Sequence, residues 1–225
     1  MPTAAKASGQ PRGRGRRDGR GRVLAAALDQ VDRFPTLEPA RKRALALLDR
    51  GAGTPELAEV VESDVGLAIT TLRTASLIPE AKPVSSASQA LEMVEPTRLA
   101  SAMRAAPSYT TFERPQSGHP DPELFRLHAL MVQRAADAVA DASGSRDRDA
   151  LALASLLHDT GRLVMARLHG GYAERFDRRL SSPEDRIAAE RRELGIDHTL
   201  VGGVLARRWR LTSDVATAIE PLEWI

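Results

Sequence analysis

The feature that most narrows the fold of this 225-residue chain is the period of its apolar residues. From Val23 onward they recur three and four positions apart, and no segment alternates apolar with polar residues convincingly. That pattern predicts an all-α protein. The helical runs are short and sharply punctuated. "RVLAAALDQV" predicts a first helix, and a second is expected from about Leu37 to Arg50, ending at Gly51. Thr54 reads as an N-cap with Pro55 at the first helical position, where its missing N–H costs nothing. Asp64 caps "VGLAITTLRTASL", Pro79 and Pro83 break the chain, and two short helices follow, hinged at Pro96. Longer helices are expected over 123–142 and over 148–168, the latter bent at Gly161. Ser182 with Pro183, Asp197, and Thr212 or Ser213 open three more. The sum is about eleven short helices with no internal repeat.

The material for the core follows from this. Apolar residues make up 42% of the chain but aromatics only 4%, so helix-forming Ala and Leu, with Val, must fill the interior. No stretch approaches the roughly 18 apolar residues of a membrane span, and no secretory signal is visible at the start. No membrane association is expected. The chain has no cysteine, which removes disulfides, thiol catalysis and Cys-bound zinc and fits a cytoplasmic setting.

Residues 107–122 carry four prolines, at 107, 115, 120 and 122, and read as a linker. They divide the chain into an N-terminal helical half, 23–106, and a second helical unit, 123–225. Ahead of both lies a Gly/Arg/Pro-rich arm, 1–22, expected to be disordered. Its seven basic residues, among them Arg12, Arg14, Arg16, Arg17, Arg20 and Arg22, face one acid. The arm is therefore +6 and the rest of the +2 chain −4. Such an arm can hold nucleic acid or another polyanion by charge alone. No aromatic residue interleaves the arginines, so a merely solvated tail remains the alternative.

The chemistry-bearing residues cluster in the second unit. His128 sits among apolar neighbours in "LFRLHALMV", His158-Asp159 ends an apolar run, and His198 opens a helix after Asp197. Three imidazoles and a carboxylate suit a divalent transition metal. Adjacent residues on a helix point about 100° apart, so His158 and Asp159 can share an ion only where the helix unwinds or stops. The opposing reading is that each histidine is a core residue hydrogen-bonded to a backbone carbonyl.

"LASLLHDTGRLVMARL" resembles the HD superfamily, whose metal-dependent phosphohydrolases use an H…HD…D set. "ELAEVVESDVGLAITTLRTAS", "SSASQALEMVEPTRLASAM" and "ELGIDHTLVGGVLARRWRLTSDVATAI" are similar in order and spacing to the HDOD domain family, a branch related to HD-GYP and HD phosphohydrolases. The resemblance spans about residues 30–220. It implies a multi-helix bundle in which an N-terminal helical half packs on an HD-type core. It matches His128 to the family's first histidine and His158-Asp159 to its doublet, so these residues would ligate Mn, Fe or Mg, with His198 beside them and Arg162 facing a phosphate. The chain departs from the catalytic pattern in three ways. Arg162 replaces the usual lysine of the doublet motif. Leu222 and Glu223 stand where a second histidine pair is usual. The final metal-binding aspartate falls beyond Ile225. The resemblance thus implies a regulatory signalling module that needs no cofactor and binds a partner protein, an output domain or a small ligand. The alternative is a phosphohydrolase acting on a nucleotide or cyclic dinucleotide.

Overall fold

The structure is a computed structural model that describes residues 25–110, 121–145, 147–177 and 182–220. Helix α1 occupies residues 25–31. It is followed by β1 (Thr36–Leu37), α2 (Glu38–Asp49), α3 (Thr54–Glu62), α4 (Val65–Ser76), α5 (Ala87–Met93), α6 (Pro96–Ala105) and β2 (Ser108–Tyr109). The second half comprises α7 (Pro122–Ser143), α8 (Arg148–Leu157), α9 (Thr160–Leu168), a single π-helical turn (Ala173–Asp177), α10 (Pro183–Leu194), α11 (His198–Arg208) and α12 (Ser213–Ile219). The all-α expectation holds. Among the described residues no helix is long and apolar enough to cross a membrane.

Capping chemistry explains most of the boundaries. Asp64 accepts from Leu67 N (2.8 Å), Ser182 from Asp185 N (3.1 Å), and Asp197 from Thr199 N and Leu200 N (both 3.0 Å), each satisfying amide groups the helix start leaves open. Asp64 also accepts from Leu37 N at 3.0 Å, fastening β1 to the head of α4. Two expected details shift. Gly53, not Thr54, caps α3: its extended backbone (φ −68°, ψ 158°) turns into the helix without a side-chain bond, and Thr54 is the first helical residue. The interruption in the long run over 148–168 falls at His158-Asp159 rather than at Gly161, which lies inside α9.

A small feature escaped the periodicity argument. β1 and β2 pair in parallel, Thr36 opposite Ser108 and Leu37 opposite Tyr109, with Thr36 N donating to Pro107 O at 2.9 Å. Two residues per strand are too few to show an alternation.

Within the N-terminal half, α4 is central. Val65, Leu67, Ala68, Ile69 and Leu72 are fully buried, and α3, α5 and α6 pack around it. In the second half α7 lies on α8, and α9, α11 and α12 complete the bundle. One continuous apolar core runs through both halves. The halves are joined by Phe34 against Phe125, ring centroids 5.4 Å apart, by Arg126 donating to Ser63 O, and by Val84. Val84 donates to Arg210 O and accepts from Thr212 N, both at 3.0 Å.

Candidate metal centre

Helix α8 drives a fully buried apolar end, Leu156 and Leu157, into the core and then stops. His158 closes the helix and Asp159 opens α9. The short turn between them lets two sequence neighbours face one point. His158 Nδ1 lies 2.7 Å from Ser155 O, so the carbonyl fixes Nδ1 as the donor and leaves Nε2 of the neutral ring with a lone pair. His128 comes from α7, where its apolar neighbours suggest a buried ring. Its ring is instead about half exposed and leans over the turn. His128 Nε2 is 3.3 Å from both His158 Nε2 and Asp159 Oδ2. His158 Nε2 is 3.6 Å from Asp159 Oδ1. One ligand atom from each of His128, His158 and Asp159 can be chosen so that all lie within 4.8 Å of one another.

His198 arrives by a different device. A Cβ on Gly161 would stand 1.8 Å from His198 O, and one on Gly202 would stand 2.8 Å from the Ile219 side chain. Gly202 lets α12 close on α11, and Gly161 lets α9 and the first turn of α11 approach each other. The approach sets His198 Nε2 3.6 Å from Asp159 Oδ1. Behind it, Glu190 on α10 accepts from both His198 Nδ1 and His198 N at 2.8 Å, and the Tyr172 hydroxyl donates to the same carboxylate. Glu190 and Tyr172 are almost wholly buried. The sequence reading missed both. The available signal was an acid on the apolar stripe of α10 behind Ala189.

The electrostatics centre on Asp159. Burial works to raise its pKa, but the His128 hydrogen bond and the charges of Arg162, His158 and His198 outweigh it and hold the carboxyl well below the usual range. Burial also dominates at His158 and lowers its pKa, with Asp159 and the Ser155 carbonyl opposing. At Glu190 the effect of burial is overcome by His198 and Tyr172, and the carboxyl stays ionised more readily than usual. Arg162 does not stand apart as a phosphate donor: its guanidinium makes an ion pair with Asp159 Oδ2, the oxygen that His128 also contacts.

This donor set fits one divalent ion. Two neutral imidazoles would offer Nε2 lone pairs and Asp159 an oxygen, while the carbonyl behind His158 orients its ring as an outer hydrogen bond commonly does for a metal-ligating histidine. Bound there, an ion would act as a Lewis acid or acidify a water. Against this, the Arg162 guanidinium competes for the same carboxylate. The arginines at 12, 14, 16, 17, 20 and 22, Leu222 and Glu223 lie outside the described residues.

Comparison with known proteins bears on the fold that carries these residues. The family model for the HDOD domain matches residues 35–222. Among solved structures, the MmoQ response regulator from Methylococcus capsulatus Bath aligns at a TM-score of 0.64 with 22% identity, covering 84% of this chain and 73% of that one. A virulence factor from Campylobacter jejuni aligns at 0.60 with 16% identity, covering 88% and 74%. At these identities the likeness is one of fold. A search of curated proteins returns no match.

Proposed function

The chain belongs to the HDOD domain family, and on that premise we propose that it is a non-catalytic signalling module that binds a partner protein, an output domain or a small ligand. The observation that carries this reading is the ion pair between Asp159 and Arg162. Asp159 supplies the one carboxylate among the three converging ligand groups. Its negative charge is already matched by a guanidinium, which unlike a lysine does not lose its proton to make way for a metal. The name of the similar Methylococcus capsulatus protein, a response regulator, is in keeping with a signalling role. In this reading the halves 23–106 and 123–225 form one module joined by the segment 107–122, and the polar network from Tyr172 through Glu190 and His198 to Asp159 is structural.

The alternative, a phosphohydrolase acting on a nucleotide or cyclic dinucleotide, draws its support from the convergence of His128, His158 and Asp159. The two are separated by metal analysis of the purified chain and a manganese-supplemented hydrolysis screen with cyclic dinucleotides and nucleotides. The signalling reading expects no turnover above a no-protein control. Turnover that disappears in both His158→Ala and Asp159→Ala would overturn it.

A further inference from the structure

At the far end of α11 from His198 lies a second cluster of charge, built on a different plan. A cleft of about 460 Å³ is lined by residues of α1 and its following turn (Asp29, Asp32, Arg33), the end of α4 (Arg73, Leu77) and the end of α11 (Arg208, Trp209, Arg210). The volume is within the range of small-molecule sites. Asp32, only 7% exposed, organises the floor. It accepts from Trp209 Nε1 at 2.8 Å and from Arg208 Nη2 at 3.0 Å, and the Nε of Arg73 stands 3.5 Å away. Asp29 takes Arg208 a second time.

Four arginines against two carboxylates leave the cleft at +2. The two acids engage Arg208 by its Nε and Nη2 and Arg73 by its Nε alone, while Arg210 uses one guanidinium nitrogen on Ala81 O at 3.1 Å. The Arg33 guanidinium has no hydrogen-bond or ion-pair partner among the described residues, and the terminal nitrogens of Arg73 make no hydrogen bond there. Each guanidinium is a planar fork with five donors that matches phosphate oxygens in pairs. Here the buried Asp32 holds Arg208 and Arg73, and Arg33 and Arg210 line the same cleft beside them. The exposed Leu77 gives the rim an apolar edge. The three lining residues Asp29, Asp32 and Arg33 precede the family match, which begins at residue 35. The cleft therefore draws on more of this chain than the family pattern.

We infer that this arginine cleft binds a small molecule carrying a phosphate or diphosphate group, held by Arg33, Arg73 and Arg210 across the seam between the two halves. The inference rests on the reading of the chain as a ligand-binding signalling module and names the chemistry of the ligand. Ligand in the cleft would tie α1 and α4 to the end of the helix whose other end contacts Asp159.

Titration calorimetry of the full chain with inorganic pyrophosphate and with ADP, at matched ionic strength, tests it. Saturable binding is expected, weakened at least tenfold in the Arg33→Ala/Arg73→Ala double variant. The Arg33→Lys/Arg73→Lys variant keeps the charge and should lose part of that affinity. It also serves if the alanine pair fails to fold. Equal affinity for the two probes would mean that the diphosphate is what is recognised, and tighter ADP that the nucleoside part uses the Leu77 edge. Either supports the inference. No saturable binding of either probe by the wild-type chain overturns it. So does an affinity equal to that of the wild type in the folded double variants, or binding that disappears when the arginines at 12, 14, 16, 17, 20 and 22 are replaced with alanine. The assay reads binding and not turnover. A failed titration would leave the non-catalytic reading standing, and detected hydrolysis would leave the cleft standing.

Discussion

The two ends of α11 handle charge in opposite ways. At its start, His198, Asp159, Glu190 and Arg162 are enclosed, and their charges are matched inside the molecule. At its end, eleven residues or about 16 Å away, Asp32 and Asp29 hold Arg208 and Arg73 on an open cleft that Arg33 and Arg210 also line. The resemblance to catalytic relatives draws attention to the first site, yet the second retains charge for a ligand. A cluster of ligand-type residues that satisfies itself is a poor recruiter, whereas a cleft whose arginines outnumber its acids keeps charge for a ligand.

The contrast is most severely tested by Gly161→Ala. A methyl group 1.8 Å from His198 O forces α9 and α11 apart, and a loss of about 3 kcal/mol or more is expected in chemical denaturation. An alanine tolerated without loss would mean that the two helices are not held by this contact. Trp209→Phe probes the other end. It removes the indole donor from buried Asp32 and should cost about 1–3 kcal/mol while loosening the arginines the acid holds. Arg162→Met asks whether the enclosed site is kept from metal by its own cation. Manganese affinity, read by calorimetry, should rise about tenfold or more as Asp159 is released. Unchanged affinity would show that the guanidinium is no competitor.

The smallest effect lies away from both ends, in the cleft between α3, α7 and α8. Burial, with Asp149 and Asp137 nearby, raises the Glu62 pKa above its ordinary 4.5. The folded state then holds a proton that the unfolded state has already released. This group's contribution to stability therefore falls as pH rises from the unfolded value through the folded one. Glu62→Gln should be slightly more stable than wild type at pH 7, by well under ~1 kcal/mol, and the advantage should vanish near pH 4. Paired denaturation curves at the two pH values measure it.

The helices were legible in the sequence because their signals are local. Caps at Asp64, Ser182 and Asp197 and the stop at Gly51 depend on residues within one turn. Of the candidate site, the identities of His128, His158, Asp159 and His198 were legible, and so was the condition that a helix must stop for the doublet to converge. What could not be read was tertiary. Arg162 carries the same charge whether it faces a phosphate or Asp159, and only packing decides. Glu190 lies on the buried stripe of an otherwise polar helix, and its partner Tyr172 is eighteen residues away. Asp32 and Trp209 are 177 residues apart. The period that marks their helices says nothing about which polar atoms meet.

Asp32 also bears on where this molecule should be said to begin. The family pattern starts at residue 35, yet Ala27, Leu28 and Val31 belong to the core, and Asp32 satisfies the indole of Trp209, one of the largest buried side chains. A version trimmed to the family boundary would discard a wall of the core and leave a buried indole N–H facing nothing. α1 is a keystone, and homology alone would have cut it away.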